Sequence, residues 1–177
     1  MNRIIATLLF FLAIAFNAHA QTNLVETSNG GSLLFCPSEF NNSGLYSCEA
    51  LNDGVLNNDG WSSDFEPPLP LDFDFEFSGG QTATIDSFAI NTGTAEGQYW
   101  SRNIEIYTSS NGGSSFTLRV TDELPNNNTT ISYPISPVSA NVVRLRIIDG
   151  YDEDYLELGE FQVFGSFCSL SATVSSV

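Results

Sequence analysis

The chain has 177 residues, about one domain's worth, with 21 Asp and Glu against 5 Lys and Arg and a formal net charge of −16. All the basic residues are arginine, and His19 and Met1 are the only histidine and methionine. This composition excludes Ser-His-Asp or Cys-His catalysis in a chain that has lost its first twenty residues, and with it histidine-bound zinc, lysine Schiff bases and a phosphate-tracking nucleic-acid groove.

Residues 1–20 read as a signal peptide. Arg3 supplies the positive start, 4–16 is an apolar run, and Ala18-His19-Ala20 has the small-x-small form of a cleavage site. The run is too short to span a bilayer of ~30 Å, and no later stretch is long and apolar enough to do so. The expected product is secreted or extracellular, periplasmic or at the cell surface in a bacterium. Export permits disulfides, and three cysteines remain: Cys36, Cys48 and Cys168. The short loop between Cys36 and Cys48, with Pro37, Asn41, Asn42 and Gly44 inside it, favours that pair. The rival pairing, Cys36 with Cys168, would tie the ends of a domain together.

The next elements read as strands. Leu71, Phe73, Phe75 and Phe77 fall on one face of an extended segment, and Asp72, Asp74 and Glu76 on the other. Strand patterns follow over 85–91, 104–108, 116–120, 131–135, 143–147 and 161–163. Gly/Asn/Pro-rich breaks separate them at 78–80, 93–97, 111–113 and 125–128. No segment after the leader has helix periodicity. The predicted fold is an all-β sandwich or barrel of seven or eight short strands. Asp and Glu on outer faces, with Pro134 and Pro137, would protect its edges. Arg144 and Arg146 alternate with core positions, so they are expected to pair with carboxylates on an outer face.

Four segments occur in a familiar order. They are Asn23-Leu24; Ala50-Leu51-Asn52-Asp53-Gly54 with Trp61-Ser62-Ser63; residues 102–113 leading into Phe116; and 143–147 followed by 158–165. Together they resemble the discoidin, or coagulation-factor C-type, domain family, whose bacterial relatives are galactose-binding-like carbohydrate-binding modules. The resemblance spans about residues 23–165. It implies an antiparallel jelly roll of about eight strands, binding loops at one end, and a structural calcium ion. The domain is expected over 21–166, with 167–177 a tail or the start of a further domain of a multidomain surface protein. The third cysteine and the wide segment between Asp53 and Trp61 depart from the family's vertebrate members.

The loop after Asp53-Gly54 is rich in oxygen, with Asn57, Asn58 and Asp59, which suits a hard cation taking six to eight oxygen ligands. Asp53-Gly54 alone reads equally well as a hairpin turn. The resemblance places a carboxylate from this loop and one from the last strand on calcium, at Asp53 and Glu160. Backbone oxygens near Leu51, Val55 and Gly60 would complete the shell. It also places a sugar site at one end of the sandwich, with candidates Asp64, Glu66, Tyr99, Trp100, Arg102, Tyr151 and Tyr155. Trp100 is either a stacking platform or a core residue at a strand start. The acidic cluster of Asp149, Asp152, Glu153 and Asp154 is either a solvated loop or part of a site.

The function expected is a secreted, non-catalytic module that binds carbohydrate or mediates adhesion, with calcium as scaffold and a glycan or other cell-surface ligand as partner. The alternative is a structural or protein-interaction module without a sugar site. Paired carboxylates can run glycoside hydrolysis without histidine, but a jelly roll of this size offers no obvious deep cleft.

Overall fold

The computed structural model describes residues 21–168, apart from 43, 57–59, 95–97 and 153. The expected leader, the chain beyond Cys168, Asn57, Asn58, Asp59 and Glu153 therefore lie outside the described residues. The strands are β1 (Thr22–Asn23), β2 (Ser32–Phe35), β3 (Trp61–Ser62), β4 (Leu71–Glu76), β5 (Ala83–Asn91), β6 (Asn103–Ser109), β7 (Thr117–Glu123), β8 (Thr130–Ala140), β9 (Val142–Ile147), β10 (Glu157–Leu158) and β11 (Glu160–Phe167). One antiparallel sheet has the order β1-β11-β5-β8, a second has β2-β4-β9-β6-β7, and β3 pairs with β10. The eight longer strands build the expected sandwich, and β11 extends to Phe167.

Period-2 alternation makes the two layers. Leu71, Phe73 and Phe75 point inward from β4, Val143, Leu145 and Ile147 from β9, and Phe88, Ile90, Phe161 and Val163 from the opposite sheet; all are buried in one core. Phe75 and Phe161 meet across the layers, with ring centroids 5.3 Å apart. Trp61 packs edge-on to Phe73 and donates its indole N–H to the Ser38 carbonyl at 2.8 Å. The outer face of the same strands is ionic. Asp72 lies opposite Arg146, and Asp74 opposite Arg144. Each arginine grips its partner through two N–H donors, at 2.6 and 2.9 Å for Arg146 and 2.6 and 2.8 Å for Arg144. Arg144 also lies over the Phe116 ring, 4.1 Å from its centroid. Both arginines thus sit where the alternation put them.

The edges behave as expected at β8, an edge strand carrying Pro134 and Pro137. Pro134 falls opposite Ser87, beside a register irregularity in β5, where a missing N–H costs little. Strand β2 had no readable pattern, because it lies on an edge and leaves Leu34 and Phe35 exposed. Cys36 and Cys48 form the disulfide, and Cys168 is free and exposed, which excludes the rival pairing. Among the described residues no helix is long and apolar enough to cross a membrane.

Truncating Phe75 to alanine removes a fully buried ring from the junction of the two layers. The variant should lose about 3–5 kcal/mol of unfolding free energy in urea titration. A loss below 1 kcal/mol would contradict this packing.

Candidate functional site

Two clusters of polar and aromatic groups stand out beyond the core. The first is a pocket of about 300 Å³ lined by Phe40, Tyr46, Ser62, Tyr99, Tyr155 and Glu157. Its floor is built by short strand pairings. Glu157 lies opposite Ser62 in the β10–β3 pair. On its other side, the Glu157 amide donates to the Tyr99 carbonyl at 2.7 Å, and Ser101 donates its amide and hydroxyl to the Glu157 carbonyl at 3.0 and 2.9 Å. Tyr155 precedes Glu157 by two residues. The Glu157 side chain is buried and accepts a hydrogen bond from the Thr94 hydroxyl at 2.7 Å.

The walls come from loops. Phe40 and Tyr46 lie inside the segment closed by the Cys36–Cys48 disulfide, which is anchored where Ser62 donates its amide to the Tyr46 carbonyl at 3.1 Å. Closing such a short loop removes on the order of 3 kcal/mol of chain entropy from the unfolded state. The rings meet at steep angles. Tyr155 contacts Tyr99, Phe65 and Phe40 at centroid distances of 5.3, 5.5 and 5.8 Å, each inclined by 63°, and Phe40 contacts Tyr46 at 85°. Asn41, Tyr46 and Glu66, the non-glycine residues with positive φ among those described, all belong to loops around this pocket.

The expected ligand residues divide. Tyr99 and Tyr155 line the pocket. Asp64 and Glu66 are exposed in a neighbouring groove with Pro37, Glu39 and Pro68, and Phe65 between them reaches Tyr155. Arg102 is bound to Asp149, donating from Nε at 3.3 Å and Nη2 at 3.0 Å. Burial opposes ionisation of Asp149, but the side-chain and main-chain N–H groups of Asn103 and the Arg102 guanidinium outweigh it and lower its pKa. Tyr151 lies under the Arg102 guanidinium and donates its hydroxyl to the Leu124 carbonyl at 2.7 Å. Trp100 is half-buried, its indole nitrogen enclosed without a partner among the described residues, and it does not line the pocket. Phe40, Tyr46, Ser62 and Glu157 were missed. Their signals were aromatics in an otherwise polar disulfide loop, and a lone acid between Leu156 and Leu158.

The second cluster surrounds Glu160. Its carboxylate is fully buried at the start of β11. Oε1 accepts the Gly54 amide at 3.1 Å, and Oε2 has no hydrogen-bond partner among the described residues. Burial pushes the Glu160 carboxyl up to about 9, with the Asp53 and Glu26 charges adding to the shift and the Gly54 amide opposing it. Gly54 and Gly60 both have positive φ, at 85° and 63°. A side chain on Gly60 would come within 2.6 Å of the Leu158 carbonyl, so glycine lets this loop close on the β10–β11 corner. Asp53 accepts the Val55 amide at 2.7 Å, and Leu51 is buried at the end of the short 3-10 turn Cys48–Leu51. A buried carboxylate oxygen left without a donor, beside further carboxylates, suits a hard cation.

The family model of the F5/8 type C domain matches residues 36–161. No curated protein matches. Among solved structures, the chain is similar to the family 32 carbohydrate-binding module of NanJ from Clostridium perfringens, solved with galactose, at 21% identity and a TM-score of 0.65, covering 82% of this chain and 99% of that one. The C-terminal domain of a chitobiase from Bacteroides fragilis gives 14% identity and a TM-score of 0.69 over 85% and 100% of the two chains. A Clostridium perfringens module in complex with GalNAc-β-1,3-galactose gives 17% identity and a TM-score of 0.65 over 80% and 99%. The shared fold is the jelly-roll sandwich.

The raised pKa of Glu160 has a pH signature in the metal-free protein. The unfolded chain releases this proton through the ordinary carboxylate range, near pH 4.3, while the folded chain holds it to about 9. The contribution is therefore fully present below the lower value and is lost as pH rises toward the upper one. Glu160→Gln, which mimics the neutral acid, should lose less stability between pH 5 and 8 than the parent when both are unfolded chemically in chelator. Parallel slopes would refute the shift.

Proposed function

Because the chain belongs to the F5/8 type C domain family, we propose that it is an exported, non-catalytic carbohydrate-binding module whose ligand sits in the aromatic pocket. The observation that carries this reading is the pocket itself. Tyr99 and Tyr155 from two loops and Phe40 and Tyr46 from a third converge on Ser62 and Glu157. Aromatic rings pack against sugar C–H groups, while hydroxyl and carboxylate groups take the sugar hydroxyls. The volume lies at the small end of ligand sites. The similar modules solved with galactose and GalNAc-β-1,3-galactose support the class of ligand. A module from a family 31 glycoside hydrolase is also similar, which supports a place beside other domains in a longer protein. Asp64 and Glu66 flank this pocket, whereas Arg102, Tyr151 and Trp100 support the loops behind it.

Calcium fits the second cluster. Asp53 and Glu160 would hold the ion with carboxylates, and backbone oxygens near Leu51, Val55 and Gly60 would add to the shell. Bound calcium would supply the positive charge that lets Glu160 stay ionised in its buried position. Its role is to fix the Asp53 loop against the β10–β11 corner, one side of which forms the pocket floor.

One observation favours the alternative of a protein-interaction module: Phe65 and Leu45 are exposed, at 52% and 64%. A glycan array in calcium separates the two readings. Binding to defined glycans that falls at least about tenfold in Tyr155→Ala supports the carbohydrate reading. A blank array favours the protein partner.

Removal of calcium with chelator should lower the melting temperature by roughly 5–10 °C from its value at saturating ion. Asp53→Ala should already melt low and ignore the chelator. An unchanged melting temperature in the parent would remove calcium from the proposal.

A further inference from the structure

We infer that Glu26 adds a third carboxylate to the cluster of Asp53 and Glu160, so that the ion there fastens the N-terminal segment as well as the Asp53 loop and the last strand. The inference rests on the calcium reading, whose acids were Asp53 and Glu160 alone. Glu26 stands far from both in sequence, just after β1. Glycine at position 54 is what admits it. The Gly54 amide donates to Glu160 Oε1 at 3.1 Å. A Cβ on Gly54 would come within 2.9 Å of the Glu26 Cδ and 3.1 Å of its Oε1. Gly54 thus carries the Glu160 carboxylate on its amide and has the Glu26 carboxylate beside its α-carbon. A side chain there would drive Glu26 away. The charges of Asp53 and Glu26 both act on Glu160.

The position of Glu26 is fixed by its surroundings. It enters the 3-10 turn Thr27–Asn29, and its carbonyl accepts the Asn29 and Gly31 amides at 2.9 and 3.1 Å. Its carboxylate accepts the Ser28 hydroxyl on Oε1 and the Asn23 side-chain amide on Oε2, the latter at 3.5 Å. Asn52 is buried and bolts this segment to the loop. Its Nδ2 donates to the Val25 carbonyl at 2.7 Å, and its own carbonyl accepts the Thr27 amide at 2.9 Å and the Thr27 hydroxyl at 3.2 Å.

Two buried oxygens at this junction, Asn52 Oδ1 and Glu160 Oε2, have no hydrogen-bond partner among the described residues. Glu160 is fully buried, so its orphaned oxygen points to a ligand rather than to bulk water. Carboxylates gathered around one point repel each other unless a cation lies among them, and calcium affinity rises with the number of charged ligands. A third acid therefore tightens the site at the expense of the metal-free state.

Calcium titration and melting of the whole mature chain test this with Glu26→Gln, which keeps the length of the side chain and an acceptor oxygen but removes the charge. The variant should bind calcium at least about tenfold more weakly than the parent. In chelator it should melt no lower than the parent, because it loses a like charge beside Glu160. Asp86→Asn removes a charge five residues along β5 from Asn91, the partner of Glu160. It should leave the affinity within about twofold. Unchanged affinity in Glu26→Gln overturns the inference and leaves the calcium reading standing; a lower melting temperature in chelator would then mark an acid that serves only the 3-10 turn. An equal loss of affinity in Asp86→Asn overturns it too, since net charge alone would account for the effect. If Glu26→Gln does not fold, hydrogen exchange on the parent decides. Calcium should slow exchange of the Asn29 and Gly31 amides at least about tenfold along with that of Gly54. Slowing at Gly54 without them overturns the inference. A parent that binds no calcium removes the calcium reading and this inference together.

Discussion

The sandwich depends on the antiparallel pairing of β4 with β9. One register sets both faces. Phe73 opposite Leu145 and Phe75 opposite Val143 build the inner layer, while Asp72 opposite Arg146 and Asp74 opposite Arg144 lock the outer one. A slip of β4 by one residue would bury Asp72, Asp74 and Glu76 and expose Phe73 and Phe75, so the register is strongly specified. The two ion pairs are partly exposed and individually modest, but each is bidentate and shares a network, as Arg144 also reaches Asp72 at 3.0 Å. Their larger effect is on charge placement. Arg102, Arg144 and Arg146 bind carboxylates, and Arg119 donates to the Thr108 hydroxyl at 2.7 Å. Every arginine among the described residues is thus engaged within the protein.

That commitment shapes the loop end. The corner from Leu156 to Glu160 carries two buried acids, three residues apart, with different surroundings. Glu157 lies in a strand pair and contributes to an aromatic pocket. Glu160 opens β11 and faces the loop of Asp53 and Gly54. Among the described residues Glu160 Oε2 has no hydrogen-bond partner, in contrast to the arginine-bound Asp72, Asp74 and Asp149. Burying a carboxylate with one oxygen unbonded is costly, and burial raises the Glu160 pKa accordingly. The proposed calcium ion would answer that cost at Glu160. The two sites would then be coupled through the short backbone between them, since fixing Glu160 also fixes the corner that carries Glu157.

The elements that the sequence made legible were those with period-2 patterns. The β4 alternation predicted its buried and wet faces, and Arg144 and Arg146 could be placed on the outer face from β9 alone. Strand β2 and the two-residue strands β1, β3 and β10 were illegible for a common reason. They are too short or too exposed at an edge for alternation to appear, and they exist through pairing with distant strands. The same reason hid the pocket. Tyr99 and Tyr155 were visible as loop aromatics, but Ser62 and Glu157 become neighbours only through the β3–β10 pair. Phe40 and Tyr46 reach them through a disulfide whose pairing the sequence left open. The resemblance put Arg102 and Tyr151 among the ligand candidates; in the structure Arg102 pairs with the local acid Asp149 and Tyr151 donates to the Leu124 carbonyl.

Trp100 shows the same competition on a smaller scale. A tryptophan in a glycine-rich loop could serve as a stacking platform, but its backbone is drawn into a bridge with Glu157 and its carbonyl accepts the Tyr151 amide at 3.0 Å. Alternation along that bridge turns adjacent side chains to opposite sides, so Tyr99 takes the pocket and Trp100 does not. The loop therefore delivers Tyr99 to the pocket, while Trp100, for which the sequence left a stacking platform and a core position both open, is half-buried outside its lining. The pocket lining thus sets hydroxyl and carboxylate oxygens among aromatic rings.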